Sequence, residues 1–358
     1  MSLAVTVLKN SAVLLLFLLF ISCGTKNKEY ANNVFPYSQF PQEKELKGEV
    51  IELDTALFRY PFRIRIEGDK AIVLDLHGSD YYGHLFQYPS FRYLSSFGRR
   101  GDSPLEMLSM ENFRLHNHTL WTLDANKSEL TRLDFSSSGD SLLRDETVTL
   151  DEDILRPLDF AIYNDTTFVI PDYSGESRFL KVDCKGKLIE KIGTIPTTNK
   201  KALQEARPAL AQAWRSFLDY NSHNSVLATV TQLGEVVEIY NLKDSTHVIR
   251  VGEYDEPEFK VSDGYGIPTG IMGFSDVQVT DDAIYAVFHG TSFKDIARQS
   301  GRLSDGGKYI YVFSLKGEPL CKYALDHYIY GIWVDEVTKT IMATDVNNDQ
   351  PILKFSFG

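Results

Sequence analysis

The feature that most limits what this chain can fold into is an internal repeat. A short β-rich segment recurs six times, as Ala71-Ile72-Val73-Leu74-Asp75, Leu120-Trp121-Thr122-Leu123-Asp124, Phe168-Val169-Ile170-Pro171-Asp172, Val226-Leu227-Ala228-Thr229, Ile284-Tyr285-Ala286-Val287 and Ile341-Met342-Ala343-Thr344-Asp345. Asp75 and Asp345 stand 270 residues apart, a mean of 54 over five intervals, which suits a four-stranded antiparallel sheet with its turns. Two copies agree position by position: Phe62, Ala71, Ile72, His77 and Gly78 return as Phe274, Ala283, Ile284, His289 and Gly290 at a constant offset of 212. A following strand repeats too, as Leu130–Phe135 before Gly139, Phe179–Asp183 before Gly186, Val237–Tyr240 before Asp244 and Tyr309–Phe313 before Gly317. Apolar residues alternate within it and a Gly- or Asp-containing turn ends it, the pattern of a hairpin with one buried face.

Similar antiparallel sheets at near-constant spacing pack radially, so the expected fold is all-β, a six-bladed β-propeller spanning residues 48–358. The last repeat ends one strand short at Ile352–Phe357, while Glu49–Leu53 precedes the first complete unit. Pairing the two would close the ring and remove an exposed edge. One segment breaks the rhythm: in 199–220, Ala202, Leu203, Ala206, Leu210, Ala213, Trp214, Phe217 and Leu218 fall at helical spacing. This predicts an amphipathic helical insertion, kinked or split at Pro208, whose apolar stripe packs on the blades or serves as a lid over the channel mouth.

The amino terminus carries Lys9, an apolar run from Ala12 to Ile21, then Ser22 and Cys23. Ten apolar residues are too short a stretch to span a bilayer, which takes about 20 in a helix, so residues 1–23 read as a secretory signal. Phe20-Ile21-Ser22-Cys23-Gly24 resembles a bacterial lipobox, which marks Cys23 for lipidation and the protein for membrane anchorage in a bacterial cell envelope. Residues 24–47 follow as a polar tether. Cys184 and Cys321 fall in non-adjacent repeats, so no disulfide is expected between them. With Lys+Arg 37 against Asp+Glu 49, the formal charge of -12 makes nucleic acid an unsuitable partner.

Phe97-Gly98-Arg99-Arg100-Gly101-Asp102-Ser103-Pro104-Leu105-Glu106-Met107 is similar to the FGRxGxGPGEF-type signature of TolB-like six-bladed β-propeller lipoproteins of Bacteroidetes. Gly98, Arg99, Gly101, Pro104 and Glu106 match, and Ser103 and Leu105 stand where that pattern has glycines. The resemblance implies the fold and an anchored location; it implies no reaction and supplies no catalytic residues.

Candidate site residues follow from strand geometry. In a four-stranded meander, the turn after the second strand and the link to the next blade share one face. Asp75, Asp124, Asp172 and Asp345 therefore gather there with Arg99 and Arg100, and with His77 and His289 just past the equivalent positions. Tyr81 and Tyr82, beside Gly83 and His84, are placed in a loop of that face as rings for stacking or as filling between blades. Each aspartate either accepts hydrogen bonds from its own turn or joins a carboxylate ring holding Ca²⁺ or another divalent cation; Thr229 and Val287 interrupt the column. No cofactor is otherwise indicated, and G-x-S-x-G, phosphate-loop, H-E-x-x-H and C-x-x-C motifs are missing from the sequence. The expectation is a binding or scaffolding module for a protein, peptide or glycan, with a metal-assisted hydrolase or lyase as the alternative.

Overall fold

The computed structural model describes residues 33–54, 57–299 and 303–358. The proposed signal segment, Cys23 and the start of the tether lie outside them. Six four-stranded antiparallel sheets, here blades I to VI, run in chain order. Their innermost strands are Pro61–Glu67, Met110–His116, Ala161–Asn164, Ser216–Asn221, Phe274–Val279 and Ile332–Asp335. Blade VI takes Glu49–Ile51 as its outer strand, with Ile352 opposite Ile51 and Lys354 opposite Glu49, so the ring closes as the repeat arithmetic requires. Residues 33–358 form one compact unit that contains every described strand.

Three boundaries differ from the sequence expectations. First, the segment read as tether is structured from residue 33. Val34–Pro36 pairs in parallel with Thr246–Val251, the outer strand of blade IV, and Gln42–Leu46 pairs in parallel with Pro319–Ile329, the outer strand of blade V. An outermost strand leaves a row of N–H and C=O groups unpaired, and a short extended segment consumes them whatever its own hydrophobic pattern. Between the two strands, Tyr37 and Phe40 wedge against Phe313 at 5.4 and 5.5 Å between ring centroids, and the Tyr37 hydroxyl donates to Glu235 Oε1 at 2.9 Å. The leading segment is thus a belt around blades IV to VI.

Second, the helical insertion is shorter than 199–220. It forms α1 (Lys200–Glu205), capped by the Asn199 side chain accepting from Ala202 N–H, and α2 (Arg207–Ala213). Pro208 does split the segment, because it sits in the first turn of α2, where its missing N–H costs no helical bond. Phe217 and Leu218 belong instead to the inner strand of blade IV; their helical spacing was coincidental with a strand that is buried from its first residue. Third, Tyr81 to His84 lie within the strand Tyr81–Gln87, not in a loop. Cys184 and Cys321 are both free thiols.

Around the axis the inner strands are stitched by buried charges. Asp276 of blade V holds Arg63 at 3.3 Å and Arg65 at 3.1 Å, both of blade I, and accepts Ile332 N–H of blade VI at 2.9 Å. Asp159, leading into blade III, binds Arg114 of blade II at 2.7 Å and accepts Leu218 N–H of blade IV at 3.1 Å. Each carboxylate therefore spans three blades, and at this depth an unpaired charge would be costly enough to keep every partner in place.

Candidate functional site

The face carrying the second-to-third-strand turns and the interblade links is assembled as expected. The Arg100 guanidinium donates to the Leu76 carbonyl in the turn of blade I and lies 3.6 Å from the centroid of the Tyr82 ring. Lys127, in the turn of blade II, donates to the carbonyls of Ser103 and Glu106, each at 2.7 Å. The signature loop 97–107 thus has a structural explanation. The Glu106 carboxylate folds back to accept Ser103 N–H at 3.3 Å and faces Arg99 Nε at 3.5 Å. It occupies the space that any Cβ on Gly101 would need. Arg100 is a clamp rather than a ligand contact, and of the pair it is Arg99, 70% exposed, that faces solvent.

The four aspartates are consumed by the same architecture. Asp124 accepts from the amides of Leu108, Ser109, Asn126 and Lys127 at 2.7 to 3.2 Å. Asp75 accepts from Arg59, Tyr60 and His77 amides, Asp172 from Ser174 and Ser177, and Asp345 from Asn347 and Asn348. All four are buried, so each is a bracket that fixes its own turn and, in blades I and II, the incoming link. Register places Thr231 and Phe288 opposite the first residues of their inner strands, as Asp75 and Asp124 are. The column therefore breaks there rather than at Thr229 and Val287. Among the described residues no group of three or more His, Cys, Asp and Glu is arranged to hold a metal ion, and the carboxylate ring considered for Ca²⁺ does not assemble.

His77 and His289 border the same pair of tyrosines in different environments. His77 is exposed and lies 4.7 Å from the Tyr60 ring; His289 is buried 5.5 Å from the Tyr330 ring. Tyr60 and Tyr330 pack on each other at 5.5 Å between them. Burial lowers the His289 imidazole to about 4, against a smaller upward pull from Asp305, and its Nε2 has no hydrogen-bond partner. It is a neutral ring in a packed aromatic cluster.

What this face does offer lies over blades III to V: a pocket of about 500 Å³. Its walls come from segments outside the repeating strand framework. Leu155, Arg156 and Leu158 belong to the link between blades II and III, and Tyr173 to the turn of blade III. Pro208 and Gln212 come from α2, and Arg215 leads into blade IV. Gln232 and Leu233 form the turn of that blade. The far wall is Gly264–Pro268, from a hairpin pairing Phe259–Ser262 with Tyr265–Pro268, and Met272 and Phe293 complete it. The helical insertion therefore both packs on the blades, burying Ala209, Leu210 and Ala213, and forms one side of the opening.

Polar brackets hold the walls. Gly266 N–H donates to Gln212 Oε1 at 3.0 Å, tying the hairpin to α2, where a Cβ on Gly266 would strike the Ala209 carbonyl. Glu256 accepts Thr198 N–H at 3.0 Å and both hydroxyls of Thr197 and Thr198, tying the hairpin's base to the start of the insertion. Between blades III and IV, Arg178 and Glu238 form an ion pair of 2.6 Å with almost no exposure. Burial by itself pushes the Glu238 carboxyl up, but Arg178, with His247, outweighs it and holds the group at about 2. The sequence analysis did not single out these residues; the one available signal was the break in the repeat at 199–220.

A family model described as TolB-like 6-blade propeller-like matches residues 39–337. The chain belongs to that family. No curated protein matches this TolB-like propeller. Among solved structures it is similar to a member of the DUF4221 family from Bacteroides vulgatus, with TM-score 0.55 and 10% identity over 88% of this chain and 98% of that one. A Bacteroides fragilis protein described as exported gives TM-score 0.52 and 11% identity over 90% and 98%. An auxiliary nutrient binding protein from Bacteroides ovatus gives 0.53 and 10% over 84% and 70%. At such identities the likeness is one of fold. Among the described residues no helix is long and apolar enough to cross a membrane.

Proposed function

We propose that this TolB-like propeller is an exported binding protein, anchored through a lipid on Cys23, that holds its ligand in the pocket over blades III to V. The observation that carries the reading is the pocket itself. About 500 Å³ falls within the range of small-molecule sites, and much of its wall comes from parts of the chain that depart from the repeat. The ligand is either a small molecule or the anchoring group of a larger peptide or glycan. The Bacteroides ovatus neighbour, described as a nutrient binding protein, and the exported Bacteroides fragilis one lend support to the role and to the compartment. The lipobox-like run ending at Cys23 supports the anchor.

Ligand capture tests the reading. The chain from Gly24 onward, incubated with a small-molecule extract of the native cells, desalted and denatured, should release a compound detectable by mass spectrometry. Met272→Trp, which fills one wall, should release none; equal recovery from both proteins would overturn the pocket as the site. Fatty-acid labelling should be lost in Cys23→Ala, and retained labelling would refute the anchor.

A further inference from the structure

Resting on the reading of this pocket as a ligand site, we propose that its ligand is a small organic anion with an apolar body, the charge met by Arg156 and Arg215. Acidic residues outnumber basic ones in this chain, 49 to 37, yet the pocket wall contains two arginines and no carboxylate. Arg156 is exposed and has neither a hydrogen bond nor an ion pair among the described residues. Its backbone sits at φ 47°, in the left-handed region, between the buried Ile154 and Pro157. A non-glycine residue there costs conformational energy that its surroundings must hold in place.

Arg215 faces one carboxylate, Glu111, at 3.6 Å, too far for a full hydrogen bond, and its side chain keeps 30% exposure. A guanidinium has five N–H donors, so both arginines bring unspent donors to the pocket. A third polar group points the same way. The Tyr173 hydroxyl is buried and makes no hydrogen bond of ordinary geometry; Arg215, ahead of Arg178 and the Ser216 amide, moderates the effect of burial on it. A buried hydroxyl left unpaired is unfavourable, and an acceptor on a ligand would satisfy it. Leu158, Leu233, Met272, Phe293 and Tyr265 supply the apolar remainder, where a ring system would be desolvated while its charged end stays with the arginines.

Two fluorescent probes with the same ring body separate charge from shape: 8-anilinonaphthalene-1-sulfonate, an anion, and the uncharged N-phenyl-1-naphthylamine. Titrated into the chain from Gly24, which retains the whole compact unit, the sulfonate should bind at least about 10-fold more tightly, as one charge-assisted hydrogen bond would give. Arg156→Gln, at an exposed and unpartnered position, should leave melting unchanged and weaken the sulfonate about 5-fold. The amine should stay within about twofold. Adding Arg215→Gln should erase the preference. Equal affinities in the wild type, or an unchanged sulfonate affinity in both variants, would overturn the anion while leaving the pocket standing. If both probes fail to bind, or both bind undiminished to Met272→Trp, the pocket is not a site and the reading beneath this one falls with it.

Discussion

Mild acid should loosen this propeller, and two histidines set the size of the effect. His84 is buried against Phe58, with Nδ1 bonded to Ser96 Oγ at 2.9 Å and Nε2 without a partner. Burial lowers its imidazole from 6.5 to about 4, against a weaker upward pull from Asp75; His289 is lowered to about 4 in the same way. Each folded-state pKa lies below the unfolded one, so each contributes stability that is complete above pH 6.5 and is lost as pH falls through 4. From pH 7 to 5 the unfolded chain takes up a proton at each site that the native state refuses. That costs about 2 kcal/mol per histidine and about 4 together. Glu235 and Asp219, both raised by burial, work in the opposite direction, so the test is a difference. Urea unfolding of wild type and of His84→Gln/His289→Gln, followed by tryptophan fluorescence at pH 7 and pH 5, cancels groups common to both proteins. The double variant should lose about 4 kcal/mol less than wild type over this interval, whatever its absolute stability. Parallel pH profiles would refute the argument, because they would mean that both rings accept protons freely in the native state.

Three further outcomes follow from the brackets described above. Asp124→Ala deprives four amides of their acceptor and should cost about 3 kcal/mol in chemical denaturation with naphthalene-probe affinity unchanged; lost probe affinity without lost stability would return Asp124 to the site. Glu238→Ala leaves Arg178 as an uncompensated buried charge and should cost about 3 to 5 kcal/mol, with the protein's stability below about pH 3 converging toward that of wild type; a loss below 1 kcal/mol would show that the pair is hydrated. Removing residues 33–47 uncovers the outer edges of blades IV and V and should produce concentration-dependent association in light scattering, whereas a monomer that melts like wild type would show the belt to be dispensable.

Blade number, blade boundaries and ring closure were legible because each depends on local alternation repeated along the chain: Ala71–Asp75 and Ile341–Asp345 look alike because both are second strands of the same unit. The belt was not legible. Gln42-Glu43-Lys44-Glu45-Leu46 pairs along an edge through its backbone, and four of its five side chains are exposed, so it carries no hydrophobic period to read. Helical spacing also extended α2 too far, since a buried strand such as Ser216-Phe217-Leu218 satisfies any apolar periodicity over so few residues. The axial charges were hidden for another reason. Arg63 and Arg65 alternate with apolar residues like solvent-facing positions of a strand, and their partner Asp276 lies more than 200 residues away.

The use of the strand-end aspartates as turn brackets has a more general cause. A feature that recurs once per blade recurs because every blade needs it, and the strand-end aspartates answer a need each blade shares: a turn and a link whose amides must be bonded. A ligand site exists once, so its residues belong to whatever breaks the pattern. In this chain the departures are α1 and α2 before blade IV, the Phe259–Pro268 hairpin before blade V, and the helix Phe293–Arg298 within blade V, which becomes α3. All three contribute to or flank the same pocket, although they are separate in sequence and share no motif. Their convergence on one side of one face is difficult to attribute to folding, because blades I, II and VI close the same ring without them. On the proposed reading, stability resides in the repeated strands and the charged axis and ligand selectivity in the pocket walls, so that substitutions at Arg156, Arg215 or Tyr265 should change what is bound with little change in melting.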